Sequence, residues 1–330
     1  MKICQIKNSE QPFERERMAI LIEDNLAVDV QNIWKKYFQY KNKFNYIEMA
    51  NHFIPSTTSN FIKLYQENAI TKLKETLSLY HELKNKENMN SILYSLNQSN
   101  GLKLTKPIST INCYRDFYIH EKHVKKGFDK RKEKVPDAWY ELPVYYKGPT
   151  SGFIGPDEKI LWPHYSQKLD YELELGCILS TDGKDISEKN ALNHVFGYTI
   201  LNDISARDIQ KKEMSVRLGP SKGKDFCSVI GPVIITQDEF AEEEPDLLMK
   251  AFINSEKWSE GRSSEGRYSW RQMIAFASQS EWLLSTDFLG SGTVGTGCGL
   301  ELDKWITKED HISLFIEKIG TLNNTITTTC

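Results

Sequence analysis

LDYELEL, residues 169–175, is the stretch on which the reading of this chain turns. Leu169, Tyr171, Leu173 and Leu175 alternate with Asp170, Glu172 and Glu174, the period of a β-strand with one apolar and one acidic face. Like charges two residues apart repel, and Asp and Glu are poor strand formers. Two readings make the pattern tolerable. Either the acidic face is a solvated strand edge, or a hard divalent cation such as Mg²⁺, Mn²⁺ or Ca²⁺, which prefers oxygen ligands, sits between the carboxylates.

Further chemistry lies at fixed distances on either side. VFGYTILNDISARDIQ, residues 195–210, reads as an apolar strand ending in Asn202 and Asp203, then a helix with Ser205 as its N-cap. Arg207 and Gln210, three apart, share one face of that helix beside the Asp203 carboxylate. Upstream, NCYRDFYIHEKH, residues 112–123, places Asp116 at a strand end with His120, Glu121 and His123 just after it. A histidine near metal-binding carboxylates can serve as a general base. Downstream, FLGSGTVGTGCGLELDKW, residues 288–305, holds a literal G-x-G-x-x-G at Gly290, Gly292 and Gly295. The segment after these glycines reads as strand, and too little chain remains for a βαβ unit, so a dinucleotide site is rejected. GPSKGKD, residues 219–225, fails as a P-loop because Asp225 stands where Ser or Thr is needed.

The remaining chain sets bounds. With 330 residues, 39% of them hydrophobic, it suffices for two folded domains. Its 42 basic and 45 acidic side chains are interspersed, giving a net charge of -3 and no basic stripe for nucleic acid. No apolar run reaches the roughly 18 residues of a membrane span, and MKICQIKNSEQ lacks the apolar core of a leader, so a cytoplasmic protein is expected. Cys4, Cys113, Cys177, Cys227, Cys298 and Cys330 form no C-x-x-C pair and read as reduced, buried thiols rather than disulfides or zinc ligands. Residues 1–105 form an N-terminal α/β accessory region, with strand-like KICQI and MAILIEDNLAVDV and amphipathic helices over Asn60–Gln98. Residues 106–330 alternate short β-runs with turn signals, so the fold class is α+β and β-rich. The basic run KKGFDKRKEKVP, residues 125–136, reads as a solvated loop or as a flap attracting an anionic substrate.

Taken in order, the motifs resemble the fumarylacetoacetate hydrolase (fumarylacetoacetase) family. The resemblance runs through D-F-Y-x-x-x-x-H from Asp116 to His123, L-P-V-x-Y from Leu142 to Tyr146 and L-D-x-E-L-E from Leu169 to Glu174. It continues through H-x-F-G-Y-x-x-x-N-D-x-S-A-R-D-I-Q from His194 to Gln210, L-G-P-x-x-G-K-x-F from Leu218 to Phe226 and S-G-T from Ser291 to Thr293. It covers nearly all of residues 110–320 and leaves the helix-rich region before residue 105 without an assigned role. It implies a catalytic domain of mixed β-sheets and a homodimer. By resemblance, Asp116, Glu172, Glu174 and Asp203 would hold Mg²⁺, Ca²⁺ or Mn²⁺, while Asp170 shares their face but matches no ligand. His123 would be the general base and Glu301 the carboxylate that orients it. Arg207, Gln210 and Lys224 would stabilise an oxyanion, and Tyr146 and Thr293 would contact substrate. The implied reaction is hydrolytic carbon–carbon cleavage of a 1,3-diketo acid of the fumarylacetoacetate or acylpyruvate type, a small keto acid whose departing carbon leaves as an enolate. Oxaloacetate-type decarboxylation and 2-oxo acid isomerisation or hydration share the same cradle. A catalytically silent binding protein on the inherited fold is the reading outside enzymes.

Overall fold

The structure, a computed structural model, describes residues 1–8, 15–96 and 101–328. Its backbone is a 12-stranded sheet. Across it lie, in order, Leu93–Ser95, Leu26–Asp29, Arg17–Glu23, Lys2–Asn8, Ser228–Thr236, Val195–Asp203, Leu173–Leu179, Phe288–Gly290, Tyr114–Phe117 and Tyr145–Gly148. Two further strands join off this path, Leu102–Thr105 against Lys2–Asn8 and Phe153–Ile154 against Ser228–Thr236. The central pairings are antiparallel, except that Phe288–Gly290 runs parallel to Tyr114–Phe117. A second, five-stranded sheet carries Leu248–Ile253, Glu256–Arg262, His311–Ile316, Gly320–Thr327 and Lys159–Leu161.

Both faces of the long sheet are covered, and side-chain alternation assigns each residue to one of them. Leu175, Cys177 and Leu179, with Tyr198 and Ile200 beside them, pack toward Met249, Ala251, Leu314 and the Trp270–Ser278 helix. Ile178, Phe196, Ile234 and Phe288 face the other way, onto Ile33, Trp34, Phe61 and Leu73 of the N-terminal helices. Burying such side chains stabilises by about 1.5–3 kcal/mol each. Residues on either side of position 105 therefore share one sheet and contribute to the cores on both of its faces.

Several local expectations differ from what forms. The N-terminal helices are Val30–Tyr40, Tyr46–Phe53, Thr58–Tyr65 and Ala69–Leu83, so helix begins well before Asn60. Asp29 ends the preceding strand and caps the first of them, its side chain accepting from Asn32 N at 2.7 Å. Gln98 and Cys330 lie outside the described residues. Lys125–Arg131, read as loop, belongs to the helix Glu121–Arg131, whose Lys125–Glu121 ion pair offsets its basic charge. Ser205 is not a helix cap: it sits in the strand pair Ser205–Ala206, and helix Arg207–Ser215 starts after Ala206. Residues Gly299–Leu302 after the glycine loop form a helical turn where strand was expected. Among the described residues no helix is long and apolar enough to cross a membrane.

Candidate active site

The LDYELEL stretch is not one two-faced strand. Leu169–Asp170 pairs with Ser205–Ala206, the strand is interrupted at Tyr171 and Glu172, and Leu173–Leu179 enters the long sheet. All seven residues from Leu169 to Leu175 are buried, so the solvated-edge reading is overturned. The break lets each carboxylate find partners of its own. Asp170 accepts Arg207 Nε at 2.8 Å, Gly299 N at 2.7 Å and Leu300 N at 2.9 Å. Glu172 forms an ion pair with Arg207, Nη2 lying 2.7 Å from Oε1, and accepts a hydrogen bond from Lys224 Nζ. Glu174 accepts Gly292 N at 2.9 Å and Thr293 Oγ1 at 3.3 Å.

Sheet order then gathers the rest. Adjacent strands bring Ser228, Asp203, Glu174, Gly290, Asp116 and Tyr146 to one end of the sheet, through pairings such as Asp203 with Ser228, Gly290 with Asp116 and Asp116 with Tyr146. Asp116, Glu174 and Asp203 each present an oxygen within 4.8 Å of the others, all three buried. Gly290 makes the approach possible, because a Cβ there would run into Asp116 Oδ1. That Oδ1 is buried without a hydrogen-bond partner. Burial, then the charge of Asp203, pushes the Asp116 carboxyl well above its ordinary range; burial and Asp116 do the same to Glu174. An unpartnered buried oxygen among three crowded carboxyls is the donor set a hard divalent cation fits. Glu172, the fourth expected ligand, lies beside this trio. Burial alone would raise its pKa, but Lys224 and Arg207 outweigh it and bring the group down to about 2.

A dyad borders the cradle. His123 Nδ1 is 2.7 Å from Glu301 Oε1, joining the helix Glu121–Arg131 to the turn Gly299–Leu302, and both side chains are 6% exposed. Thr296 N donates to Glu301 Oε2 at 3.0 Å and fixes the carboxylate. The remaining expected groups all converge here, though not always on the expected partner. Gln210 Oε1 accepts Arg207 Nη1 at 2.9 Å. Lys224 Nζ bridges Glu172 and Asp203, while Tyr146 OH donates to Asp203 Oδ2 at 2.8 Å. Arg207, Lys224, Tyr146 and Thr293 thus hold the acidic residues in place. Sequence reasoning placed Asp170 beside the ligands without naming its partners and missed the contacts of Cys298. Asp170 ties Arg207 to the turn that carries Glu301, a role its place in the alternation could have suggested. Cys298 lies 3.8 Å from His123 Nδ1 and 3.6 Å from Glu301 Oε1, and the glycines flanking it masked it.

The family model of the fumarylacetoacetate hydrolase C-terminal domain matches residues 112–327. Oxaloacetate tautomerase YisK of Bacillus subtilis is 28% identical over 320 residues, which span 95% of this chain and 97% of that protein. The human mitochondrial oxaloacetate tautomerase FAHD2A is 28% identical over 185 residues, 56% of this chain and 59% of its own. Among solved structures, fumarylacetoacetate hydrolase from psychrophilic Exiguobacterium antarcticum superposes with a TM-score of 0.71 at 23% identity, covering 100% of both chains. Maleylpyruvate hydrolase from Sphingobium sp. SYK-6, in complex with manganese(II) and pyruvate, gives 0.68 at 17% identity over 99% of both. These two structures share the fold.

Proposed function

Since the chain belongs to the fumarylacetoacetate hydrolase family, we propose that it is an acid–base enzyme for enolisable 2-oxo acids and that its reaction is keto–enol interconversion of an oxaloacetate-type dicarboxylate. The observation that carries this is the buried His123–Glu301 pair at 2.7 Å beside the carboxylate cradle. With Glu301 ionised, Nδ1 donates to Oε1, and Nε2 is the nitrogen through which His123 exchanges a proton. His123 takes the proton from the carbon between the two carbonyl groups, Glu301 stabilises the imidazolium, and His123 returns the proton to oxygen. A divalent cation held by Asp116, Glu174 and Asp203 with Glu172 alongside, Mg²⁺ or Mn²⁺ by the chemistry of the donors, would supply Lewis-acid polarisation of the 2-oxo group. Arg207 and Lys224 balance the acidic charge, so an anionic substrate meets a site that is not uniformly negative.

Hydrolytic cleavage of an acylpyruvate is the second reading, because the same dyad suits the activation of a water molecule. The tautomerase reading is favoured by the relative that spans nearly the whole chain, N-terminal helices included. Both reactions are measurable on one preparation with Mg²⁺, by following loss of enol-oxaloacetate and loss of an acylpyruvate diketone chromophore. Enol conversion above the buffer rate is expected, falling by about 10²–10⁴ in His123→Gln with Mg²⁺ affinity unchanged. Acylpyruvate turnover without enol conversion would transfer the assignment to hydrolysis, and enol conversion that survives His123→Gln would remove the dyad from it.

A further inference from the structure

We propose that Cys298, His123 and Glu301 form a second cation site, selective for a soft ion such as Zn²⁺ and separate from the all-oxygen cradle. Their Sγ, Nδ1 and carboxylate oxygen lie within 4.8 Å of one another. Among the described residues two such groups occur, and only this one contains sulfur and nitrogen. Zinc–ligand bonds of about 2.0–2.3 Å at a tetrahedral centre place neighbouring N, O and S donors roughly 3.3–3.6 Å apart. The observed separations are 3.8 Å for Sγ–Nδ1, 3.6 Å for Sγ–Oε1 and 2.7 Å for Nδ1–Oε1. The Sγ–Oε1 distance already fits, and Sγ–Nδ1 must close by about 0.2 Å. The third requires the dyad to open by about half an ångström, a small rotation of the Glu301 side chain. Thiolate and imidazole favour Zn²⁺, whereas Mg²⁺ prefers the carboxylates of Asp116, Glu174 and Asp203, so donor softness sorts two ions between two neighbouring sites. No Cys-x-x-Cys spacing announces this site, because its ligands come from a helix and a turn 175 residues apart.

The proton balance is definite. On binding, the Cys298 thiol loses its proton to solvent, and the ring proton of His123 moves from Nδ1 to Nε2 as Nδ1 becomes a ligand, so one proton is released per ion. Occupancy also separates Nδ1 from Glu301. Zn²⁺ therefore inhibits the enzyme, a consequence that rests on the proposed role of the dyad, whereas the site itself does not.

Cd²⁺ is the probe, titrated into the protein with Mg²⁺ in large excess. A single sulfur-to-Cd²⁺ charge-transfer band saturating at one ion per chain is expected in the wild type, and its loss in Cys298→Ser. No band, or an equal band in Cys298→Ser, overturns the site. Should Cys298→Ser lack native circular dichroism, His123→Asn decides. That variant keeps the sulfur but should bind Cd²⁺ at least about tenfold more weakly, and unchanged affinity overturns the site. A band without inhibition of enol conversion overturns the role given to the dyad and leaves the site standing.

Discussion

Replacing Asp170 by Asn tests whether one buried carboxylate holds both halves of the site. Asp170 has no solvent exposure, accepts hydrogen bonds from Arg207 Nε at 2.8 Å, Gly299 N at 2.7 Å and Leu300 N at 2.9 Å, and forms an ion pair with Arg207 Nη2 at 2.7 Å. Asn keeps the shape but offers one acceptor oxygen and turns two N–H groups toward existing donors. At least one backbone N–H or guanidinium contact is left unsatisfied, at about 1–3 kcal/mol, and Arg207 loses one of its two buried counter-charges. Breaking a buried pair in this way costs about 3–5 kcal/mol, a factor of roughly 10²–10⁴ in the folded-to-unfolded ratio. Because Gly299 and Leu300 precede Glu301 in the same turn, the loss should also lower kcat through a misplaced dyad, with KM less affected. Urea unfolding followed by tryptophan fluorescence, with the denaturant slope unchanged, reads the first effect; steady-state kinetics read the second. A destabilisation below about 1 kcal/mol would mean that Glu172 alone anchors Arg207, refuting the argument.

In the cradle, Asp116→Asn removes one of three crowded carboxyls, so the metal-free protein should melt higher while the increase in Tm on adding Mg²⁺ shrinks; an undiminished increase would place Asp116 outside the cradle. Burial holds His120 down from 6.5 to about 3, so the unfolded chain binds a proton that the folded one refuses throughout that window. Stability should fall as pH drops from 6.5 toward 3, by up to about 1.4 kcal/mol per pH unit from this group, and His120→Leu should reduce the slope by one proton. An identical slope in the variant would contradict this. The family resemblance also implies a homodimer, and sedimentation that finds only a monomer at micromolar concentration would exclude it.

Much of the site was legible because strand ends and glycine loops leave local marks. Asp203 after an apolar run and the histidines after Asp116 stood out in the chain itself, whereas His123 as the base and Glu301 as its partner came only from the family resemblance. What each side chain touches was not legible, because it depends on pairing between distant segments. Lys224 reaches Glu172 and Asp203 only because the loop before Ser228 folds back over the strand end. The solvated-face reading of LDYELEL failed for the same reason, since period-2 alternation cannot report a strand that breaks between two sheets. The helix Val30–Tyr40 was missed because its apolar residues directly follow a β-hairpin, and the two periods overlap there.

The place of the first strand imposes an order of events on the nascent chain. Lys2 and Ile3 pair with Ile235 and Ile234. Translation at about 5–20 residues per second leaves roughly 10–50 s between synthesis of one partner and the other. During that interval Lys2–Asn8 has Arg17–Glu23 along one edge and, later, Leu102–Thr105 along part of the other. The apolar face of the N-terminal helices, with Ile33, Trp34 and Phe61, meanwhile lacks Ile178, Phe196, Ile234 and Phe288 to close it. Long-range pairing of this kind slows folding and exposes both a strand edge and a greasy surface while the ribosome works. Slowing translation or withdrawing chaperones lengthens that exposure and should lower the yield of folded protein.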